Sequence, residues 1–144
     1  MLKNISPLIS PALLKALCEM GHGDTLVLAD ANFPAESTGK NSLVIRCDGF
    51  PIPALLDAIL ALTPLDHHVP HPVSFMQVTP GDPVETPIWE TYRAIIKKHE
   101  PEKADPVQEI ERATFYKMAQ KAYLIVATGE TALYGNVILQ KGTL

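Results

Sequence analysis

The chain has 144 residues, 47% of them hydrophobic and 19% charged, with a formal net charge of −4. That is the length of one domain with enough apolar material for a core. The longest apolar stretches are too short to span a bilayer and no basic patch is present, which speaks against a membrane-spanning protein and against nucleic acid as a main partner.

Ser10 followed by Pro11 starts a helix, because the hydroxyl caps free N–H groups and proline fits the first turn. Leu13, Leu14, Leu17 and Met20 form its apolar stripe, and Gly21 ends it. Thr25 to Ala29 reads as a buried strand closed by Asp30. Residues 31 to 41 form a polar loop, and Ser42 to Cys47 a second strand before the turn signal Asp48-Gly49. Pro51 to Leu62 is a helix apolar almost all round, so it is buried on most sides. Asp66 to Pro72, with His67, His68 and His71, reads as a solvated loop; its prolines and the lack of a suitably spaced partner weigh against a metal site. Val73 to Thr79 alternates and reads as a strand, and Ile88 to Lys98 as a helix. His99 to Pro106 is polar, and Val107 to Ile110 is a turn or short strand. Arg112 to Lys121 is helical, Ala122 to Ala127 a strongly apolar strand, and Asn136 to Leu139 a last strand after a loop.

Strands and helices thus mix without regular alternation. The expected fold is α/β, a single layered domain over residues 1–144 with a mixed β-sheet flanked by helices. Thirteen prolines cluster at element starts and between Pro64 and Pro87, as loop punctuation. Cys18 and Cys47 have no CxxC spacing and sit in apolar sequence, which suits buried free thiols in a reducing cytoplasm. The N-terminus lacks a cationic region followed by a long apolar core, so no signal peptide is expected. Mean hydropathy is slightly positive, +0.09, a hint of surface covered between subunits.

The stretch Met20 to Asp30, MGHGDTLVLAD, concentrates the chemistry. Gly21 and Gly23 give the backbone around His22 access to positive φ. Asp30 stands beyond the carboxyl end of a strand, where open α/β sheets place ligands. His22 and Asp30 are eight residues apart, and such a segment spans roughly 26–29 Å when extended. For both to touch one small ligand, the turn must fold back or a second chain must supply one of them. The plainer alternative is a helix cap at Gly21, a turn histidine and an aspartate opening a loop.

No GxGxxG, Walker loop or GxSxG elbow occurs. The remaining polar candidates are His22, Asp30, Arg112, Tyr116, Tyr134 and Asn136. They offer hydrogen bonds to hydroxyls and one group able to move a proton near pH 7, a set suited to a polyhydroxy ligand without metal or redox cofactor. Arg112 opens a helix, where the dipole does not favour a cation. Tyr116 could equally cover the core edge, and Tyr134-Gly135-Asn136 could be an ordinary turn.

Together LKNISPLISPALLKAL at 2–17, MGHGD at 20–24, LADANFPAES at 28–37, IRCDG at 45–49 and AQKAYLIVATGETALYGNVILQKG at 119–142 resemble the fucose mutarotase branch of the ribose pyranase/fucose mutarotase (RbsD-like) family. The resemblance implies an isomerase that interconverts the anomers of a monosaccharide, L-fucose in this branch, with no cofactor and no metal. It implies His22 as proton donor and Asp30, Arg112, Tyr116, Tyr134, Gly135 and Asn136 as substrate-binding. It also implies a cytoplasmic homo-oligomer, a decameric ring with sites completed by a neighbour. Arg112 and Gly135 favour the fucose branch, since the ribose branch carries histidine and alanine there. Ala113, Lys117, Met118 and the pair His67-His68 depart from the family pattern. The competing expectations are a pyranase acting on D-ribose and a sugar-binding module without turnover.

Overall fold

A computed structural model describes residues 2–104 and 107–144. Asp105 and Pro106, the end of the expected polar connector, lie outside the described residues. The elements in chain order are α1 (Pro11–Glu19), β1 (Thr25–Ala29), α2 (Ala35–Thr38), β2 (Leu43–Cys47), α3 (Ile52–Leu60), β3 (Val73–Met76), α4 (Pro87–His99), a 3-10 turn (Pro101–Lys103), β4 (Gln108–Ile110), α5 (Arg112–Ala119), β5 (Leu124–Thr128) and β6 (Val137–Gln140).

The six strands form one sheet in the order β2-β5-β1-β6-β3-β4. β5 runs parallel to both β1 and β2, and β3 parallel to β4. β6 is antiparallel to β1 and to β3, which makes the sheet mixed. Helices cover both faces, so the central strands are apolar on both sides. Period-two alternation sorts their residues between two cores. Leu26 and Leu28, Leu124 and Val126, Val137 and Leu139 face α1, α3 and α4. Val27 and Ala29, Ile125 and Ala127, and Ile138 face α2 and α5, where Phe115 is wholly buried.

Several local expectations shift. α1 is capped as read, with Ser10 Oγ accepting from Leu13 N–H at 3.1 Å. It ends at Glu19, however, and Met20 continues in extended backbone. Lys141 explains this: its ammonium takes the Leu17 and Met20 carbonyls at 2.8 and 2.6 Å, so no left-handed glycine cap is needed. Of the two glycines flanking His22, Gly23 alone has positive φ, +85°. The loop after β1 holds a single helical turn, α2. β3 stops at Met76, and all four of its residues are buried rather than alternating. Cys47 is buried, but Cys18 lies on the solvent side of α1 and is exposed. α3 is buried along most of its surface as expected, with Asp57 paired outward to Lys98 and His99 of α4. Among the described residues, no helix is long and apolar enough to cross a membrane.

Candidate functional site

A cleft of ≈ 280 Å³ opens at the carboxyl ends of β1 and β3, beside the start of β6. Asp30, Arg112, Tyr116, Tyr134 and Asn136 all line it. Asp30 leaves β1, and its Oδ1 accepts the Asn32 N–H at 2.9 Å, closing a tight turn. Asn136 is buried and both ends of its amide meet Asp30. Its Oδ1 accepts the Asp30 N–H at 2.8 Å, and its Nδ2 donates to Asp30 Oδ2 at 2.7 Å. The geometry therefore uses Asn136 first to hold Asp30. Burial pushes the Asp30 carboxyl above its ordinary value, against the N–H donors of Asn32 and Asn136.

Arg112 and Tyr116 stand one turn apart on α5, so they share a face. Glu111 caps that helix, accepting the Ala113 and Thr114 N–H groups at 2.9 and 3.1 Å. The carboxylate at the helix start also offsets the unfavourable position of a cation there. The Arg112 guanidinium makes no ion pair among the described residues and lies 5.8 Å from the Tyr116 ring centroid. Tyr116 stacks on Phe33 at 5.2 Å. Its role at the core edge and its place on the cleft wall are therefore the same position.

Tyr134 is one of two non-glycine residues with positive φ among the described residues, at +55°. Such a conformation needs support from its surroundings. Trp89 Nε1 donates to the Tyr134 carbonyl at 3.0 Å, and the Tyr134 hydroxyl donates to Asp82 Oδ2 at 2.6 Å. Asp82, on the turn after β3, thus joins the cleft wall, a residue the sequence did not single out. Gly135 lies behind the cleft surface. Its carbonyl accepts the buried Tyr92 hydroxyl at 2.8 Å, and a Cβ there would come within 2.9 Å of the Ala132 carbonyl. Burial raises the Tyr92 phenol well above its usual range, so it stays a donor.

His22 is elsewhere. It precedes β1 while Asp30 follows it, and the five residues of that strand alone put about 16 Å between them. The turn does not fold back. His22 Nε2 instead meets Asp66 Oδ2 at 3.1 Å. Within one chain the carboxylate that meets the imidazole is that of Asp66. The 66–72 segment is correspondingly not a plain solvated loop. A bridge pairs Leu65 with Lys141, and the Asp66 side chain is 2% exposed. Asp66 Oδ1 accepts the His68 N–H at 2.8 Å, and Oδ2 also accepts from Gln140 Nε2 at 3.0 Å. The His68 N–H, with help from His22 and Gln140, holds the Asp66 carboxyl below the usual carboxylate value despite its burial. The His68 ring lies edge-on to His22 at 5.4 Å, and His67 turns away to Glu100. Among the described residues, no group of three or more His, Cys, Asp or Glu side chains is placed to hold a metal ion. Asp66 escaped the sequence reading because it lies 44 residues from His22. The one available signal was a single aspartate beside a proline-bounded histidine run.

The residues thus fall into two groups, an imidazole–carboxylate pair at one end of β1 and a hydrogen-bonding cleft at the other. Residues 3–144 match the profile of the RbsD / FucU transport protein family. Human fucose mutarotase is 49% identical over 147 residues, covering 99% of this chain and 94% of the relative. The crystal structure of FucU from Bifidobacterium longum superposes with a TM-score of 0.96 at 52% identity, covering 99% of both chains. That of the fucose mutarotase from Streptococcus pneumoniae in complex with L-fucose superposes with a TM-score of 0.92 at 51% identity, again over 99% of both.

Proposed function

The chain belongs to the RbsD / FucU transport protein family, and from that premise we propose that it interconverts the α and β anomers of L-fucose. The observation that carries this is whole-length likeness to a fucose mutarotase solved with L-fucose. Such an enzyme is an isomerase, and its task needs what the two groups, taken as half-sites, offer.

Mutarotation opens the pyranose at the anomeric carbon. In the proposed mechanism a cationic His22 gives a proton from the nitrogen not held by Asp66 to the ring oxygen as the C1–O5 bond breaks. The electron pair stays on O5, the anomeric hydroxyl loses its proton to water, and C1 becomes an aldehyde. After rotation about C1–C2, O5 attacks the other face and the protons return. An imidazole, ordinarily half-protonated near pH 6.5, works in both directions. Asp66 keeps its charge and orients the ring, as carboxylates do for catalytic histidines elsewhere. In the cleft, Asp30 accepts sugar hydroxyls and Arg112 donates to paired oxygens. Tyr116 and Tyr134 lie along the apolar face of the sugar, its methyl group included. Asn136 holds Asp30 on the cleft wall, and Gly135 shapes that wall from behind.

The distance between the half-sites makes a second copy part of the proposal. A neighbour's His22–Asp66 pair brought over the cleft completes the site, and repetition of that heterologous contact closes a ring. A decamer and a cytoplasmic setting belong to the same reading. The unpaired thiols Cys18 and Cys47 fit a reducing compartment.

NMR saturation transfer between the anomeric protons of L-fucose, with D-ribose alongside, tests the activity. Protein-dependent exchange on fucose is expected. Exchange on ribose alone, or on neither sugar with binding intact, would overturn it.

A further inference from the structure

β6 ends in Gln140, which the sequence had not singled out as a site residue, and this residue touches Asp66 twice. Its carbonyl accepts the Asp66 N–H at 3.1 Å, and its Nε2 donates to Asp66 Oδ2 at 3.0 Å. That oxygen is the one facing His22 Nε2. Gln140 is itself fixed: it sits opposite Thr25 in the β1–β6 ladder, and its N–H donates to the Pro72 carbonyl at 2.8 Å. The other oxygen of Asp66 is occupied by the His68 N–H. With donors on both oxygens, rotation of the carboxylate would break a bond on each side.

We propose that Gln140 is a positioning residue for proton transfer. By holding Asp66 Oδ2 in line with His22, it keeps the neutral imidazole protonated on Nε2 and leaves Nδ1 as the nitrogen that exchanges a proton with the sugar. Which imidazole nitrogen carries the proton is set by the hydrogen bond the other one makes. A primary amide suits the task because it donates without titrating. The titratable groups that meet Asp66 or lie next to its partners come from several elements. His22 comes from the turn before β1 and His68 from the loop itself. Lys141, next along from Gln140, turns its ammonium to the α1 carbonyls. Glu100, at the end of α4, binds the Leu65 N–H and His67 instead of Asp66.

This rests on the reading of His22 as the proton carrier, and the test separates the two. Gln140→Met keeps the side-chain length and every main-chain bond while removing the donor. Expected are a fall in kcat of roughly ten- to a hundredfold from a misplaced imidazole, an L-fucose KM within about twofold, and ¹⁵N spectra of His22 in which both neutral tautomers replace the Nε2–H form. Gln140→Glu places a second carboxyl against Asp66, the two share a proton, and the acid limb of kcat moves to higher pH. His22→Ala is assayed beside them. If it retains the wild-type rate, the proton-carrier reading fails, and the tautomer spectra still decide the role of Gln140. If His22→Ala is inactive while both Gln140 variants keep wild-type kcat, pH profile and tautomer, the inference about Gln140 is overturned.

Discussion

Two crippled chains should restore one another if the site is shared between copies. His22→Ala removes the proposed proton carrier and leaves the cleft intact. Arg112→Ala removes a guanidinium that makes no ion pair among the described residues, leaving the His22–Asp66 pair intact. Alone, the first should lose about 10²–10⁴ in rate, the range for a general acid–base group. The second should lose about ten- to a hundredfold, from charged hydrogen bonds worth roughly 1.5–3 kcal/mol. The half-sites of one chain stand about 16 Å apart across β1, against the ~3 Å over which a proton passes. In a ring co-assembled from equal amounts of the two variants, a site is whole when its imidazole comes from an Arg112→Ala chain and its cleft from a His22→Ala chain. Random assembly makes about a quarter of the sites whole in such a head-to-tail ring. Anomer exchange on L-fucose, measured on co-expressed protein whose composition is checked by mass spectrometry, should therefore recover to about a quarter of the wild-type rate. A mixed assembly no faster than the average of its parents, or a fully active monomer, would refute the shared site.

Three further outcomes follow from the geometry. Phe115 anchors α5 and carries Arg112 and Tyr116 with it; Phe115→Ala should cost about 3–5 kcal/mol in urea unfolding, and a loss below 1 kcal/mol would mean α5 is held otherwise. Gly135→Ala drives a Cβ toward the Ala132 carbonyl and Tyr92, so KM for L-fucose should rise as Tyr134 and Asn136 shift, with stability down by about 1–3 kcal/mol; unchanged KM would remove Gly135 from the wall's support. The two carboxylates should part company in acid. Asp30 is raised by burial, so it protonates above the ordinary 3.8 and KM climbs while Asp66 is still charged. Asp66 is depressed, so its contribution to stability is full above 3.8 and fades only as pH falls through its lower folded-state value. The unfolding difference between wild type and Asp66→Asn should hold at pH 5 and shrink below 3.8; disappearance already at pH 5 would contradict the assignment.

The central strands were legible in the sequence because their residues alternate between two apolar faces, as Leu26, Val27, Leu28 and Ala29 do. Caps were legible where one short side chain decides them, as at Ser10. The exposure of Cys18 was not, since one residue's rotation about α1 depends on what α1 packs against. Nor was the end of α1, because the lysine that takes its last carbonyls comes from beyond β6.

The candidate site divides in the same way. Residue types alone pointed to His22, Asp30, Arg112, Tyr116, Tyr134 and Asn136 as a hydrogen-bonding set with one group able to move a proton, and Arg112 with Gly135 favoured one branch of the family. Local spacing also established that His22 and Asp30 could not meet across an extended strand. Only the tertiary structure decided what meets what. The sheet order sets β6 antiparallel beside β1, so Asn136 arrives at Asp30 and Gln140 at Asp66 from opposite ends of one strand. The bridge from Leu65 to Lys141 buries Asp66 beneath His22. Periodicity and capping are properties of neighbouring residues, which a sequence records directly; partners 44 to 106 residues apart are chosen by how the strands pair, and that exists only once the chain has folded.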